Sequence, residues 1–244
     1  MRRLKLVLEY DGTAYHGWQV QPGLDTIQAR VEAALSRLAG GPVHVMGAGR
    51  TDAGVHALGQ VASCTADLRL DDRGLQRALN ALLPQDIVVC GVESVAAEFD
   101  ARRSARSKTY CYTLLRRGYP SALHRRVSLY VPWVLDLEAM ADAARFLVGT
   151  HDFSAFRAGT CAAATSVRTV SRATWRAEGE VWRFEIVGNA FLQHMVRIIV
   201  GTLLDVGRGR RKPADLPEIL GSRDRRRAGK TAPPHGLCLV AVEY

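Results

Sequence analysis

The spacing of apolar residues in the first half of the chain changes between a period of two and a period of three to four. Alternation over residues 4–10 predicts a half-buried β-strand. A helical period follows over residues 27–38, beginning after a capping box of Asp25 and Gln28 and ending at Gly40. The remaining segments predict strands over 43–46, 59–66 and 87–95, and a helix from Asp71 or Asp72 to Leu83. The predicted order is therefore βαββαβ.

The second half gives the same order of elements, although no repeat of residues is visible. Its predicted elements are a strand over 108–115, a helix over 137–148 between Asp136 and Gly149, a hairpin of 167–176 with 181–187, a helix over 191–206 and a strand over 237–243. Each half therefore has the pattern of a split βαβ, ferredoxin-like lobe. We predict an α+β fold of two related lobes, comprising residues 1–105 and 106–244.

Charge and cysteine content narrow the class of protein. The 244 residues include 33 Lys and Arg against 24 Asp and Glu, a formal net charge of +9. This surplus favours a polyanionic partner, with nucleic acid ahead of an anionic membrane surface. The five cysteines include no C-x-x-C pair, so neither a disulfide framework nor a zinc site is indicated. Because no apolar run approaches the roughly 18 residues of a membrane span, we expect a soluble, unprocessed cytoplasmic protein.

A glycine-rich segment over residues 47–60 lies between two strand-like segments and carries Arg50 and Asp52. Glycine permits positive φ and close approach of a ligand to the backbone, so Gly49 and Gly54 would leave the Asp52 carboxylate accessible on a loop. An ionised aspartate can serve as a nucleophile or as a proton acceptor. Asp52 is therefore the candidate catalytic residue.

The segment G-A-G-R-T-D-A-G-V-H over residues 47–56 resembles the catalytic signature of the tRNA pseudouridine synthase A family. The resemblance covers nearly the full chain, and its ordered agreement over several blocks is more specific than any single motif. The other matching blocks are Glu9–Gln19, Phe99–Arg102, Lys108–Tyr112, Asp152–Arg157, Asn189–Gly201 and Gly236–Tyr244.

The resemblance implies a fold, a reaction and an assembly. Family members join two ferredoxin-like lobes through their antiparallel sheets, leaving a basic cleft that holds the catalytic loop. They isomerise uridine to pseudouridine at positions 38, 39 and 40 in the anticodon stem-loop of tRNA, without a cofactor or metal. They work as homodimers, in which one protomer binds the tRNA body while the other supplies the active site.

The resemblance also assigns roles to particular residues. Arg197 is expected to pair with Asp52, since a cation within about 4 to 6 Å keeps a carboxylate ionised beside a stacked base. Tyr110 matches the active-site tyrosine, whose ring can stack on an extruded uracil while its hydroxyl helps to manage a proton. Two further expectations come from the residues and not from the resemblance: Arg50 positions phosphate or base, and Tyr112 faces the other side of its strand.

Basic residues elsewhere are candidates for contacts to the tRNA backbone. The candidates are Arg102, Arg103 and Arg106, and the arginine runs over 208–212 and 223–227. The region over 208–234 lacks a simple period and is rich in Arg and Pro, so its order and role stay open. His56 and His194 are interpreted as structural rather than catalytic.

Other function classes fit the sequence less well. Gly47-Ala-Gly49 begins like a dinucleotide-binding fingerprint, but Asp52 occupies the third glycine position. Gly229-Lys230-Thr231 ends like a phosphate-binding loop, but Asp224 occupies its first glycine position. Neither an H-x-E nor a C-x-x-C motif is present, which argues against a zinc deaminase. The alternative that stays open is a non-catalytic RNA-binding protein or tRNA-folding chaperone.

Overall fold

The computed structural model describes residues 1–161 and 163–244, which contain ten β-strands and five α-helices. In chain order these are β1 (Arg2–Tyr10), α1 (Ile27–Ala39), β2 (Met46–Gly47), β3 (His56–Ala66), α2 (Asp72–Leu82), β4 (Ile87–Val95), β5 (Ser107–Arg116), β6 (Leu129–Val131), α3 (Leu137–Arg145), β7 (Gly149–Asp152), β8 (Val167–Glu178), β9 (Val181–Gly188), α4 (Met195–Gly207), α5 (Asp215–Ser222) and β10 (Leu237–Glu243). The predicted mixture of helices and strands is confirmed. No helix in this described part of the chain is long and apolar enough to cross a bilayer.

The chain divides into two compact units. The first contains residues 1–106 and 238–244, and the second contains the residues between them. The predicted boundary after residue 105 lies next to the observed one, but the sequence places the last strand in the second lobe. In the structure β10 belongs to the first unit. It pairs in parallel with β3, and Cys238 lies opposite His56.

In the first unit β1 has β3 on one side and β4 on the other, both antiparallel to it. Leu6 lies opposite Ala62 of β3 and Val92 of β4. The side chains of Leu4, Leu6 and Leu8 are fully buried, as the alternation predicts. β2 pairs antiparallel with β3, and the loop between β2 and β3 carries Asp52.

Helix α1 begins one residue later than the predicted capping box implies. Thr26 is the N-cap, and its side chain accepts a hydrogen bond from a main-chain N–H of the first turn at 3.4 Å. Asp25 instead pairs with Arg30 at 2.6 Å, so the capping box of Asp25 with Gln28 is wrong. The helix ends as predicted at Gly40, whose φ of +68° is typical of a C-terminal glycine.

The strand predicted over 43–46 pairs only at its end, where β2 begins. Val45 bonds to side chains of α1 instead. Its N–H donates to Glu32 Oε1 at 2.9 Å, and its carbonyl oxygen accepts from Gln28 Nε2 at 3.0 Å. β3 in turn begins at His56, earlier than predicted, so the loop between the two strands is shorter than the sequence indicates.

In the second unit β5, β9, β8 and β7 are antiparallel neighbours in that order. β6 pairs in parallel with the C-terminal end of β5. The predicted hairpin is confirmed, and Gly179 in its turn has a φ of +60°. The sequence pattern does not predict β6, β7 or α5, because elements of three, four and eight residues contain too few periods to detect.

Helices α3 and α4 are both shorter than predicted. α3 follows the predicted N-cap Asp136 but ends at Arg145. α4 begins at Met195 rather than at Phe191, because His194 has a φ of +62°, which a continuous right-handed helix excludes. Residues 208–234, whose order the sequence leaves open, contain α5 and a short 3-10 helix.

Candidate active site

The loop that carries Asp52 is held by its own main chain. The Ala48 N–H donates to the Val61 carbonyl oxygen at 2.7 Å, and the Val55 N–H donates to the Asp52 carbonyl oxygen at 3.1 Å. Gly54 has a φ of +76°, which lets the chain reverse direction without strain. Asp52 is half-buried, so the fixed loop leaves it partly exposed to solvent.

The segment that follows β1 supports this loop through main-chain contacts. The Trp18 N–H donates to the Thr51 carbonyl oxygen at 3.0 Å. A Cβ on Gly17 would lie 2.5 Å from that same oxygen, and a Cβ on Gly12 would lie 2.0 Å from the Val55 carbonyl oxygen. Larger residues are therefore excluded at both glycines, and this segment fixes the position of the loop.

His56 lies at the start of β3 and is buried. Its Nδ1 accepts a hydrogen bond from the Gly12 N–H at 3.1 Å, and a carboxylate oxygen of Asp11 lies 3.1 Å from the same nitrogen. The hydrogen bond from Gly12 links the loop to the segment after β1, in agreement with a structural role for His56. Arg50 is exposed, and its contact with phosphate or base stays a prediction.

Tyr110 lies in β5 opposite Ile186 of β9, and only 6% of it is exposed. Its ring meets that of Phe191 edge-on, with 5.1 Å between the ring centroids. Tyr112 is buried on the same face of β5, because side chains two residues apart in a strand point the same way. The prediction that Tyr112 faces the other side is therefore wrong. Its hydroxyl donates to the Pro233 carbonyl oxygen at 2.8 Å, and burial raises its pKa.

Arg197 lies in the first turn of α4 and bonds to Ala232, in the segment over 229–233. Its Nε donates to the Ala232 carbonyl oxygen at 2.8 Å, and the Ala232 N–H donates to the Arg197 carbonyl oxygen at 3.0 Å. Gly201 permits this close approach, since a Cβ there would lie 1.7 Å from the Lys230 carbonyl oxygen. The guanidinium group is therefore anchored at Nε.

Arg102 and Arg103 lie in a turn that Asp100 caps. One carboxylate oxygen of Asp100 accepts from both of their main-chain N–H groups, at 2.9 and 2.8 Å. The bond from Arg103 is the main cause that lowers the pKa of Asp100. The Arg106 N–H donates to the Glu243 carbonyl oxygen at 2.8 Å. All three arginines are exposed, and their contacts with tRNA stay predictions.

Many arginines of the two runs pair with carboxylates within the protein. Arg211 Nε lies 3.6 Å from Asp205, and Arg223 Nε lies 3.1 Å from Asp152. The other pairs are Arg210 with Asp205, Arg226 with Asp224 and Arg227 with Glu218. Because their charge is partly compensated, these arginines are weaker candidates for phosphate contacts than those of the turn after Asp100.

Comparisons with known proteins identify the family of the chain. A family model described as tRNA pseudouridine synthase matches residues 6–102 and 143–244, which include Asp52 and Arg197 but not Tyr110. The tRNA pseudouridine synthase A of Acetivibrio thermocellus is 47% identical over 244 residues, covering 100% of both chains. That of Myxococcus xanthus is 49% identical over 245 residues, covering 100% of this chain and 92% of the relative. The chain belongs to the tRNA pseudouridine synthase family.

The predicted site residues fall in both units. Arg50 and Asp52 lie in the first unit, whereas Tyr110 and Arg197 lie in the second, and the pairing of Asp52 with Arg197 stays a prediction. Within residues 1–161 and 163–244, no three His, Cys, Asp or Glu side chains are grouped so that they could hold a metal ion.

The sequence pattern does not predict the residues that support the Asp52 loop from inside. Tyr10, Thr51 and Gln60 are buried polar residues in hydrogen-bond contact with one another or with the loop. The sequence signal for Gln60 is a polar amide beside apolar Val61 within the strand predicted over 59–66.

Proposed function

We propose that this protein is an isomerase that converts uridine to pseudouridine in tRNA, and that Asp52 starts the reaction. The observation that carries the proposal is the half-buried Asp52 on a loop fixed by main-chain hydrogen bonds, in a chain of the tRNA pseudouridine synthase family. Relatives named tRNA pseudouridine synthase A match the full chain at 47% identity.

The reaction conserves all atoms and needs no oxidant or reductant. The bond from uracil N1 to ribose C1′ breaks, the ring turns, and C5 forms a bond to the same carbon while the C5 proton leaves and N1 gains one. An ionised carboxylate can start this sequence as a nucleophile or as a base. Three roles for Asp52 are chemically open: attack on the sugar, attack on the ring, or removal of a ribose proton.

We further propose that Arg197 and Tyr110 complete the site with Asp52. A guanidinium beside the carboxylate keeps it ionised when a stacked base excludes water. The hydrogen bond of Arg197 Nε to Ala232 supports this role. It restricts the orientation of the guanidinium group, whose two terminal nitrogens are proposed to face the carboxylate. The ring of Tyr110 is proposed to stack on the extruded uracil, and its contact with Phe191 supports a fixed ring orientation.

The same proposal includes two ferredoxin-like lobes joined through their antiparallel sheets, with a basic cleft that holds the Asp52 loop. Within the first unit, β4, β1 and β3 are neighbours in that order and β2 pairs with β3, all antiparallel. Such pairings are expected for a split βαβ arrangement, and they support this part of the proposal.

The proposed substrate site is the anticodon stem-loop, with uridines 38, 39 and 40 as targets, and the proposed location is the cytoplasm. Extruding a base from a stem costs a few kcal/mol, which contacts to phosphates must offset. The net charge of +9 supports such contacts. The exposed arginines proposed to make them are Arg50, Arg102, Arg103 and Arg106.

A tRNA transcript labelled at uridine tests this function, with neither metal nor nucleotide added. We expect the wild-type protein to form pseudouridine, and a transcript with cytidine at positions 38, 39 and 40 to yield none. If roughly 6 to 10 phosphates are neutralised, affinity should fall about 10³- to 10⁵-fold between 50 and 200 mM salt. Salt-dependent binding without any product would instead favour a non-catalytic RNA-binding protein or chaperone.

We also propose that the protein acts as a homodimer, with one protomer binding the tRNA body and the other supplying the active site. The molecular mass in solution at working concentrations tests this part. A dimeric mass is expected, and a monomeric mass under conditions of full activity would reject the homodimer but not the reaction.

A further inference from the structure

A buried polar cluster lies against the inner side of the Asp52 loop. It consists of Tyr10 at the end of β1, Thr51 in the loop and Gln60 in β3, which are 2%, 6% and 0% exposed. Buried polar groups are unfavourable unless they are hydrogen-bonded, so the bonds made by this cluster indicate what it does.

The side-chain amide of Gln60 binds the main chain of the loop. Its Nε2 donates to the Gly49 carbonyl oxygen at 2.9 Å and to the Tyr10 hydroxyl oxygen at 3.4 Å. Its Oε1 is buried and has no hydrogen-bond partner among the residues that the structure describes. A rotated amide would place Oε1 against the Gly49 oxygen, and two acceptors would then face each other. The contact with Gly49 therefore fixes the orientation of the amide.

The next bond joins Tyr10 to the loop. The Tyr10 oxygen accepts from Gln60 and lies 2.8 Å from Thr51 Oγ1, which can accept the single hydroxyl hydrogen of Tyr10. Burial raises the pKa of Tyr10, so its hydroxyl stays protonated and able to donate. Hydrogen bonds thus connect Gln60, Tyr10 and Thr51.

The two attachment points, Gly49 and Thr51, flank Arg50, and Asp52 follows directly. We propose that Gln60 and Tyr10 are positioning residues that hold the Asp52 carboxylate in the orientation its reaction requires. This inference rests on the proposed function. Because both residues are buried, they act on the geometry of the loop and not on contact with tRNA. A displacement of about 1 Å at a reacting group can slow a reaction roughly 10²-fold.

The test compares Gln60→Leu, which removes both N–H donors, with the matched control Gln76→Leu. Gln76 makes the same kind of contact elsewhere in the first unit, where its Nε2 donates to the carbonyl oxygens of Val89 and Cys90 at 3.0 and 2.9 Å. We expect Gln60→Leu to lower kcat about 10- to 100-fold with an unchanged Kd for tRNA, and Gln76→Leu to change neither. Wild-type kcat in Gln60→Leu would overturn the positioning role and leave the proposed function intact.

Two hydroxyl substitutions keep the proposal testable if Gln60→Leu does not fold. Tyr10→Phe and Thr51→Val remove the two ends of one hydrogen bond, so the double variant should have the same kcat as the slower single variant. Thr51→Ser retains the hydroxyl and should restore kcat. Additive losses, or equal losses in Thr51→Ser and Thr51→Val, would reject the proposed chain of hydrogen bonds.

Hydrogen exchange provides a measurement that does not need activity. The N–H groups of residues 48–55 should exchange faster in Gln60→Leu than in the wild type, with no change in Gln76→Leu. Faster exchange together with a wild-type protein that forms no product would reject the proposed function but retain the support of the loop by Gln60. Unchanged exchange would reject that support itself.

Discussion

Arg197 and Ala232 exchange two hydrogen bonds, one from the Arg197 side chain and one to its main chain. The Arg197 Nε donates to the Ala232 carbonyl oxygen at 2.8 Å, and the Ala232 N–H donates to the Arg197 carbonyl oxygen at 3.0 Å. The first turn of α4 is thereby tied to a segment 35 residues later in the chain. The orientation of the guanidinium group depends on the hydrogen bond between Arg197 Nε and Ala232.

Arg197→Lys should impair catalysis although it keeps the charge. The planar guanidinium of arginine has three nitrogens, of which Nε binds Ala232 and two are left for other contacts. Lysine has a single ammonium nitrogen and cannot make both kinds of contact. We expect kcat to fall about 10- to 100-fold, with a smaller change in the Kd for tRNA. Single-turnover kinetics measure the effect. The matched control is Arg172→Lys, because Arg172 forms an exposed ion pair with Glu185 on the β8–β9 hairpin. Equal losses in the two variants would contradict a special role for Arg197.

Gly201→Ala should destabilise the second unit. The new Cβ would lie 1.7 Å from the Lys230 carbonyl oxygen, so the segment that anchors Arg197 must move. Overpacking of this kind costs about 1–3 kcal/mol of unfolding free energy, measured in urea. Gly221→Ala in α5 is the control, since no atom of the described residues outside its own helix backbone and chain neighbours lies within 4 Å of its Cβ position, and it should stabilise by about 0.4–1 kcal/mol. A Gly201→Ala protein as stable as the wild type would refute the close approach.

Tyr110→Phe should lower turnover more than tRNA affinity. The phenylalanine ring can still stack on a base, whereas the hydroxyl that would manage a proton is lost. Tyr112→Phe is a comparison on the same strand face and should lose about 1 kcal/mol of stability with its bond to Pro233. Turnover and filter binding separate the two effects. Normal turnover with weakened binding in Tyr110→Phe would contradict the assigned role.

The stabilising effect of Asp100 should depend on pH. Its pKa is lowered from the usual 3.8, first by the bond from the Arg103 N–H. A carboxyl group whose pKa is lower in the folded protein stabilises fully above its unfolded pKa and loses the effect as pH falls through the folded value. Asp100→Ala should therefore lower the free energy of unfolding by about 1 kcal/mol at pH 7 and by less below pH 3.8. Urea unfolding at both pH values checks this, and a cost independent of pH would exclude the capping bond as its source.

The sequence predicted the long elements well because each contains several periods of the apolar pattern. β4 and β10 have the predicted bounds, and the hairpin of β8 with β9 lies within two residues of its prediction. Errors fall where the apolar period does not decide the structure. Val45 bonds to side chains of α1 instead of extending a strand, and the left-handed His194 delays the start of α4.

In the candidate site, too, the local pattern is predictable from the sequence and the contacts between distant residues are not. The glycine pattern around Asp52 is local, so the loop was visible in the sequence. The supports of the loop are not local: the hydrogen bond between Tyr10 and Thr51 joins residues 41 positions apart. Only the fold reveals that the amide of Gln60 faces the Gly49 carbonyl oxygen. The two-residue period of β5 places Tyr112 on the same face as Tyr110, which corrects the expectation that it faces the other side.

Asp52→Asn tests the central claim most directly, because it removes the negative charge and preserves the shape of the side chain. Pseudouridine formation in a uridine-labelled tRNA transcript is measured alongside the Kd of the same transcript. We predict that kcat falls by at least about 10³-fold while the Kd is retained, since the charge is needed in the reaction and not in binding. An Asp52→Asn protein that forms pseudouridine at the wild-type rate would contradict the account.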